Sequence, residues 1–177
     1  MVKFELLQIS GAKAPRFTVL LGPDDMGRRT KKPVPTGPPK PTESARRRRE
    51  YWEEFLGALR LEDPDIRVPT ANTLGNLWFN LRGRDLWVTV YAASSLGRIG
   101  VFLRGKPEYY PRIWAKQKEI AAQIGAPVGR NPDHDHWSVG VTKKADPTNR
   151  EDWPRQHRWL ALRLNEFIGV FKPLVSP

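Results

Sequence analysis

Residues 76–104 read NLWFNLRGRDLWVTVYAASSLGRIGVFLR, and this stretch decides the fold. β-Branched and aromatic residues recur with a period of two in three runs, which Gly83 and the cluster from Ser94 to Gly97 separate. The pattern predicts three consecutive strands joined by two turns. Alternation places two apolar sets on one face of the first two strands: Leu77, Phe79 and Leu81, and Leu86, Val88 and Val90.

The opposite face of these strands carries four aromatic residues of shared parity: Trp78, Trp87, Tyr91 and Phe102. Such a face is either covered by further structure or forms an aromatic platform that stacks ligands. Because so much exposed apolar surface is unusual in a soluble monomer, we expect the last helix to cover it, with the sheet lying between helices. Base stacking would then use Tyr109, Tyr110 or Trp114. Replacing Trp87 with Ala would cost about 3 kcal/mol or more.

The flanking segments predict an α+β fold, an α/β sandwich in which helices pack on a mainly antiparallel sheet. The element order is ββ-linker-α-βββ-α-β-α. Helices are predicted over about residues 44–60, 107–124 and 150–171, and further strands over 2–9, 16–21 and 137–142. The first two of these strands are joined through Gly11 to Pro15 and form a hairpin. The last helix has the clearest apolar stripe: Trp153, His157, Leu160, Leu164, Phe167 and Phe171.

The net charge of +11 is unevenly distributed along the chain. Nine cations and one acid lie between Arg28 and Arg49, so the rest of the chain is close to neutral. Residues 22–42 also hold six prolines and three glycines, a composition typical of an extended, solvated linker. We therefore predict a β-hairpin over residues 1–25, a basic proline-rich linker over 26–43 and an α+β domain over 44–177.

Composition excludes several function classes. The chain has no Cys, which removes disulfides, thiolate catalysis and zinc ribbons. No window approaches about 18 consecutive apolar residues, and the first residues are too charged for a signal peptide. The sequence therefore predicts a cytoplasmic protein that does not contact a membrane.

Motifs for known chemistries are scarce. The sequence contains no nucleophile elbow, no phosphate loop, no dinucleotide fingerprint and no zinc-protease helix motif. No cofactor is predicted. Alternation brings His134 and His136 to one side of an extended segment, but no third ligand stands at a characteristic spacing, so a solvated turn is preferred over a metal site. His157 lies in an apolar stripe, where a hydrogen-bonded core histidine is preferred over a catalytic one.

The order helix, three strands, helix, strand is similar to the core of restriction-endonuclease-like nucleases. Those nucleases need a metal-binding Asp followed by an acid two residues before a Lys. None of the nineteen acidic residues here has Lys at the second position after it, and residues 98–104 contain no acid. The sequence therefore favours a protein without enzymatic activity, and we predict no Mg²⁺- or Mn²⁺-dependent cleavage of nucleic acid, including any that Asp85→Ala would abolish.

Four segments carry a resemblance to a known family: Arg48 to Leu56, Leu86 to Tyr91, Lys118 to Ile120, and Glu151 to Pro154 leading to Phe171 to Pro173. Over about residues 46–173 the chain resembles DUF4268, a bacterial and archaeal domain family. Its members often follow a nuclease-like domain, so the resemblance implies association with prokaryotic nuclease or defence systems. Residues 4–25 look like the closing hairpin of such a domain. No nuclease body is present in the sequence, and no catalytic residues are carried over.

Two functions from different classes follow. The first is a non-catalytic accessory domain that binds DNA or RNA without sequence preference, with steep salt dependence. Its predicted phosphate-binding residues are Arg28, Arg29, Lys31, Lys32, Arg46, Arg47, Arg48 and Arg49. The alternative is a protein-interaction or dimerisation module that docks a nuclease subunit or a second copy through the hairpin. A degenerate nuclease is the third hypothesis.

Overall fold

The computed structural model describes residues 2–9, 12–19, 41–83, 85–130 and 137–174. The chain divides into two units, residues 1–40 and 41–177, which are described separately below. Some of the predicted site residues lie outside the described ranges: Arg28, Arg29, Lys31, Lys32, His134 and His136.

The first unit contains a β-hairpin. Strands β1 (Val2–Ile9) and β2 (Ala12–Val19) pair antiparallel, with Val2 opposite Val19 and Ile9 opposite Ala12. The prediction that the second strand begins at residue 16 is therefore wrong, because most of the expected connection belongs to the strand. Pro15 is tolerated inside β2 because each strand of a two-stranded sheet has one unpaired edge, where a missing N–H costs no ladder hydrogen bond.

The second unit has the predicted α+β architecture, built on one antiparallel sheet with strand order β3-β4-β5-β7-β6. Its strands are β3 (Asn76–Arg82), β4 (Leu86–Ala93), β5 (Arg98–Gly105), β6 (Val128–Arg130) and β7 (Trp137–Lys144). Its helices are α1 (Glu43–Ala58), α2 (Tyr110–Ala115), α3 (Gln117–Ile124) and α4 (Trp153–Phe171). Two details differ from the prediction: the expected helix over 107–124 is divided at Lys116, and β6 is an additional short edge strand.

Local sequence explains where the helices begin and end. The Thr42 hydroxyl caps α1 by accepting a hydrogen bond from the Ala45 N–H at 3.2 Å. Gly125 ends α3 in the left-handed conformation, with φ of 64°, which favours glycine. Pro154 occupies the first turn of α4, where its missing N–H would have no helical partner. None of the described helices has the length and apolar content needed to cross a membrane.

The hydrophobic core lies between one face of the sheet and the layer of four α-helices. This inner face carries the buried residues Leu77, Phe79, Leu81, Leu86, Val88, Val90, Ile99, Val101, Leu103 and Val139. Each of the four helices contributes buried side chains to the same cluster, among them Trp52 of α1 and Ile113 of α2. The predicted stripe of α4 is confirmed, because all six of its residues are buried.

The opposite side of the sheet, here called the outer face, is not covered as predicted. It carries Asn76, Trp78, Asn80, Trp87, Thr89, Tyr91, Ala93, Arg98, Gly100, Phe102, Arg104, Gly140, Thr142 and Lys144. The α4 stripe is buried by the inner face together with α1 and α3, so all four helices form a single layer. Trp78 is 46% exposed, and Trp87 is only half-buried. The expectation of a sheet between helices, and of Trp87 as core, is wrong.

Candidate functional site

The outer face is strongly cationic. Its Arg98, Arg104 and Lys144 side chains are exposed, and no acidic residue occurs among the outer-face residues defined above. Asp85 immediately precedes β4, and its carboxylate pairs with Lys106 at 2.6 Å. That hydrogen bond raises the pKa of Lys106, and the pair contributes no net charge to the face. The described residues of the outer face therefore carry a net positive charge.

Two glycines let aromatic rings lean over the neighbouring strands of the outer face. The register places Gly100 of β5 directly opposite Tyr91 and Gly140 of β7 directly opposite Phe102. A Cβ at Gly100 would overlap the Tyr91 ring, and a Cβ at Gly140 would overlap the Phe102 ring. Each ring therefore occupies the space above the backbone of the next strand. Aromatic side chains that cover cross-strand glycines in this way are a known means of sheet stabilisation.

The two rings form a stacked pair. Their centres are 4.9 Å apart, and their planes differ by 17°. The Arg104 guanidinium carbon lies 5.7 Å from the centre of the Phe102 ring, within the range of a cation–π contact. Burial raises the pKa of the Tyr91 phenol, although nearby Arg98 opposes this shift, so the hydroxyl is neutral and able to donate at pH 7. Stacking surface and positive charge thus stand side by side.

A shallow depression of about 410 Å³ opens next to these rings. Tyr91, Phe102 and Arg104 line one part of it, and Arg48 of α1 lines another. Thr89 also lines it and is 7% exposed, but its hydroxyl oxygen is buried and has no hydrogen-bond partner among the described residues. A buried hydroxyl without a partner is costly in a folded protein, and such groups occur where a ligand or water is to be bound.

The arginine cluster of α1, Arg46 to Arg49, contains side chains with different partners. Arg47 pairs with Glu43 and Arg49 with Glu53, each at 2.8 Å and one helical turn away. These i to i+4 pairs compensate the positive charges near the helix N-terminus. The Arg48 Nε donates to the Thr73 carbonyl oxygen at 2.8 Å, which directs this side chain toward the depression. Of the four predicted phosphate-binding arginines of α1, Arg48 alone lines the depression.

The aromatic residues expected to stack bases at the start of α2 are only partly accessible. Tyr109 is 8% exposed and belongs to the core, so its assignment as a stacking residue is wrong. Tyr110 and Trp114 are stacked on each other, with ring centres 5.7 Å apart, and Trp114 is 47% exposed. Ile113 between them is buried in the core beneath the inner face. This pair therefore does not extend the outer face.

His157 is a core residue. It is 6% exposed and packs edge-on against the Tyr51 ring with centres 4.5 Å apart. Burial lowers the pKa of its imidazole to about 4, so the ring is neutral at pH 7. The expectation of a hydrogen-bonded histidine is wrong at Nε2, which is buried without a partner among the described residues.

A buried amide organises the start of α4. The Gln156 side chain accepts from the Tyr51 hydroxyl at 3.1 Å and donates to the Asp146 carbonyl oxygen at 2.8 Å and to the Asp152 carboxylate at 3.0 Å. The Arg155 and Gln156 hydrogen bonds lower the pKa of Asp152, and burial raises that of Tyr51. These bonds join the start of α4 to α1 and to the segment between β7 and α4, so this cluster is structural.

Sequence reasoning missed the cations of the outer face. Arg98 and Arg104 have the same parity as Phe102 within one strand, and this pattern was available in the sequence. The cationic face was overlooked because the net charge summed over all residues outside the segment from Arg28 to Arg49 is small. Charge counted separately for each strand face would have indicated the cluster.

Comparison of the chain with family models, with curated proteins and with solved structures finds no match. The resemblances to DUF4268 and to restriction-endonuclease-like topology therefore stay predictions. Within the described ranges, no group of three or more His, Asp or Glu side chains is placed to hold a metal ion.

Proposed function

We propose that this chain is a non-catalytic, sequence-independent nucleic-acid-binding domain, and that the outer face of its sheet is the contact surface. The observation that carries the proposal is a sheet face with exposed Arg98, Arg104 and Lys144, four aromatic residues and no acid among its described residues. Phosphate contacts dominate nucleic-acid affinity, and aromatic side chains add base stacking without sequence preference.

The location of the charge supports this assignment more strongly than its total. Cations spread evenly over a protein are solvated individually, whereas cations on one face raise the local potential and attract a polyanion. Arg48 extends the positive surface past the strand ends to α1, along the wall of the depression. Phosphate binding by Arg28, Arg29, Lys31 and Lys32 remains part of the proposal, since these residues add positive charge and phosphate contacts carry no sequence information.

The DUF4268 resemblance supports one part of the proposal, namely a role as an accessory to a nuclease or defence system. The alternative function is a protein-interaction or dimerisation module, in which a nuclease subunit or a second copy docks on the β1–β2 hairpin. Each strand of a two-stranded sheet has one unpaired edge, and such an edge can accept another strand. Light scattering during size-exclusion chromatography separates a self-associating chain from a monomer.

Replacing both Arg98 and Arg104 with Ala is expected to weaken binding to a labelled oligonucleotide and to flatten its salt dependence. Each phosphate contact to a single strand contributes about 0.7 to the slope of log affinity against log salt, so loss of two contacts lowers the slope by about 1.4. Fluorescence anisotropy across a salt titration measures both quantities.

The matched control removes the same charge from the helical layer. Lys118 of α3 and Arg158 of α4 are exposed, and the double Ala variant should bind nearly as tightly as the parent with an almost unchanged slope. Equal losses in the two double variants would show that only total charge matters and would remove the outer face from the proposal. Absence of binding at low salt by the parent chain would refute nucleic-acid binding altogether.

A further inference from the structure

Two aromatic rings of the outer face lean over glycines and stack on each other. Tyr91 and Phe102 cover Gly100 and Gly140, and their ring centres are 4.9 Å apart with planes that differ by 17°. Both side chains are only half-buried, so the stacked pair stays accessible. The register places this pair at the centre of the cationic face.

Accessible aromatic rings discriminate between forms of nucleic acid. In a duplex, the π faces of the bases are covered by neighbouring base pairs, and a protein reaches only groove edges and phosphates. In a single strand the bases can separate and stack on side chains, and every base offers such a face. Tyr91 and Phe102 therefore add affinity only for an unpaired strand, while Arg98 and Arg104 attract either form.

The surroundings of the rings also match a nucleotide better than an apolar protein surface. Arg104 lies beside the Phe102 ring, and Arg98 is close enough to Tyr91 to influence its phenol. A protein partner that buried these rings would also bury both cations, at a large desolvation cost. A nucleotide that stacks on the rings brings a phosphate within reach of the same cations.

We infer that the outer face binds single-stranded nucleic acid in preference to duplex, with unpaired bases stacked on Tyr91 and Phe102 and their phosphates held by Arg98, Arg104 and Arg48. This inference rests on the proposed function and names the substrate class of its site. Trp78, on the edge strand β3 and 46% exposed, continues the aromatic surface beyond the depression.

The test compares four labelled ligands of matched sequence: a DNA strand, an RNA strand and the corresponding DNA and RNA duplexes. Each is titrated against the full chain and against the Tyr91→Leu/Phe102→Leu variant, whose fold is checked by thermal melting. Leu keeps apolar bulk above the glycines but removes the π face. The parent should bind single strands about tenfold or more tightly than duplexes, since one stacked base contributes roughly that much. The variant should lose most of this ratio and keep the salt slope.

Gly140→Ala is a second test variant, which retains both Tyr91 and Phe102. Its Cβ displaces the Phe102 ring from the sheet, so the preference for single strands should fall although no aromatic or cationic residue is removed. Photo-crosslinking of a strand that contains 5-bromouridine to the parent protein provides a measurement that needs no variant. Crosslinks should map to the peptides with Tyr91 or Phe102.

The outcomes separate the inference from the proposed function. Equal affinity for strands and duplexes, together with weaker binding of both by the Arg98 and Arg104 variant, would overturn single-strand preference and leave nucleic-acid binding in place. Crosslinks confined to α1 or to residues before it would also overturn it. No binding of any of the four ligands at low salt would refute the proposed function itself. A difference between the DNA and RNA strands would identify the sugar that the site prefers.

Discussion

Replacing Trp153 with Ala is expected to lower the free energy of unfolding by about 3 to 5 kcal/mol. The side chain is 1% exposed at the start of α4, and its ring packs edge-on against Tyr51 with centres 5.1 Å apart. Its indole N–H donates to the Pro147 carbonyl oxygen at 2.9 Å. Truncation therefore creates a large cavity and leaves a carbonyl without its partner. Urea unfolding followed by circular dichroism measures the change in midpoint and slope.

Trp78→Ala is the matched control, because it removes the same side chain from the outer face. Trp78 is 46% exposed, so its loss should cost about 1 kcal/mol or less. Trp153→Phe is an intermediate case that keeps most of the packing and removes the hydrogen bond. If Trp78→Ala destabilised the chain as much as Trp153→Ala, the outer face would be buried core and unavailable to any ligand.

The inner half of the fold was predictable because burial imposes a period on the sequence. The α4 stripe repeats at helical spacing since only one side of the helix meets the sheet, and Leu77, Phe79 and Leu81 alternate for the same reason. The sequence did not lead to the correct sheet face, because both faces carry large apolar side chains. These are aliphatic residues and Phe79 on the inner face, and Trp78, Trp87, Tyr91 and Phe102 on the outer face. The helices cover the inner face because the apolar stripe of α4 packs against α1 and α3 as well as the sheet. These contacts form only in the folded chain.

The site was less predictable because its parts come from distant segments. Tyr91 and Phe102 look like core residues until the strand register shows glycines opposite both of them. Gly140 reaches Phe102 only through the pairing of β7 with β5, across two helices and another strand. The sequence predicted Arg48 as one of four phosphate-binding arginines in α1. What distinguishes Arg48 is its hydrogen bond to the Thr73 carbonyl oxygen, which directs the side chain to the depression. The position of Arg98 and Arg104 on the outer face could have been predicted from the sequence alone, because alternation along the strand places both on the same face as Phe102.

Acidification from pH 6.5 to about 4 is expected to destabilise the protein through His157, by about 3 kcal/mol in total. The folded state lowers the pKa of this imidazole from 6.5 to about 4, because burial among aromatic rings disfavours its charged form. Between these two values the unfolded chain binds more protons than the folded one, so stability falls as pH falls. Above pH 6.5 the ring is neutral in both states. Each unit of pKa difference corresponds to about 1.4 kcal/mol.

His157→Phe should abolish most of this pH dependence while leaving stability near neutral pH equal or higher. Phe fills a similar ring volume between Tyr51 and Phe55, takes up no proton, and removes the buried Nε2 that has no partner among the described residues. Urea unfolding at a series of pH values measures the effect.

Asp63→Asn provides the matched control for this pH dependence, since it alters a different part of the titration. The Lys172 hydrogen bond lowers the pKa of the Asp63 carboxyl below 3.8, so the stability that it contributes is present above that value and lost below it. This variant should therefore change the acid limb below about pH 4 and keep the loss between pH 6.5 and 4. A parent chain and a His157→Phe variant with the same pH dependence over that window would show that His157 is protonated in the folded state, and that its ring is not sealed between α1 and α4.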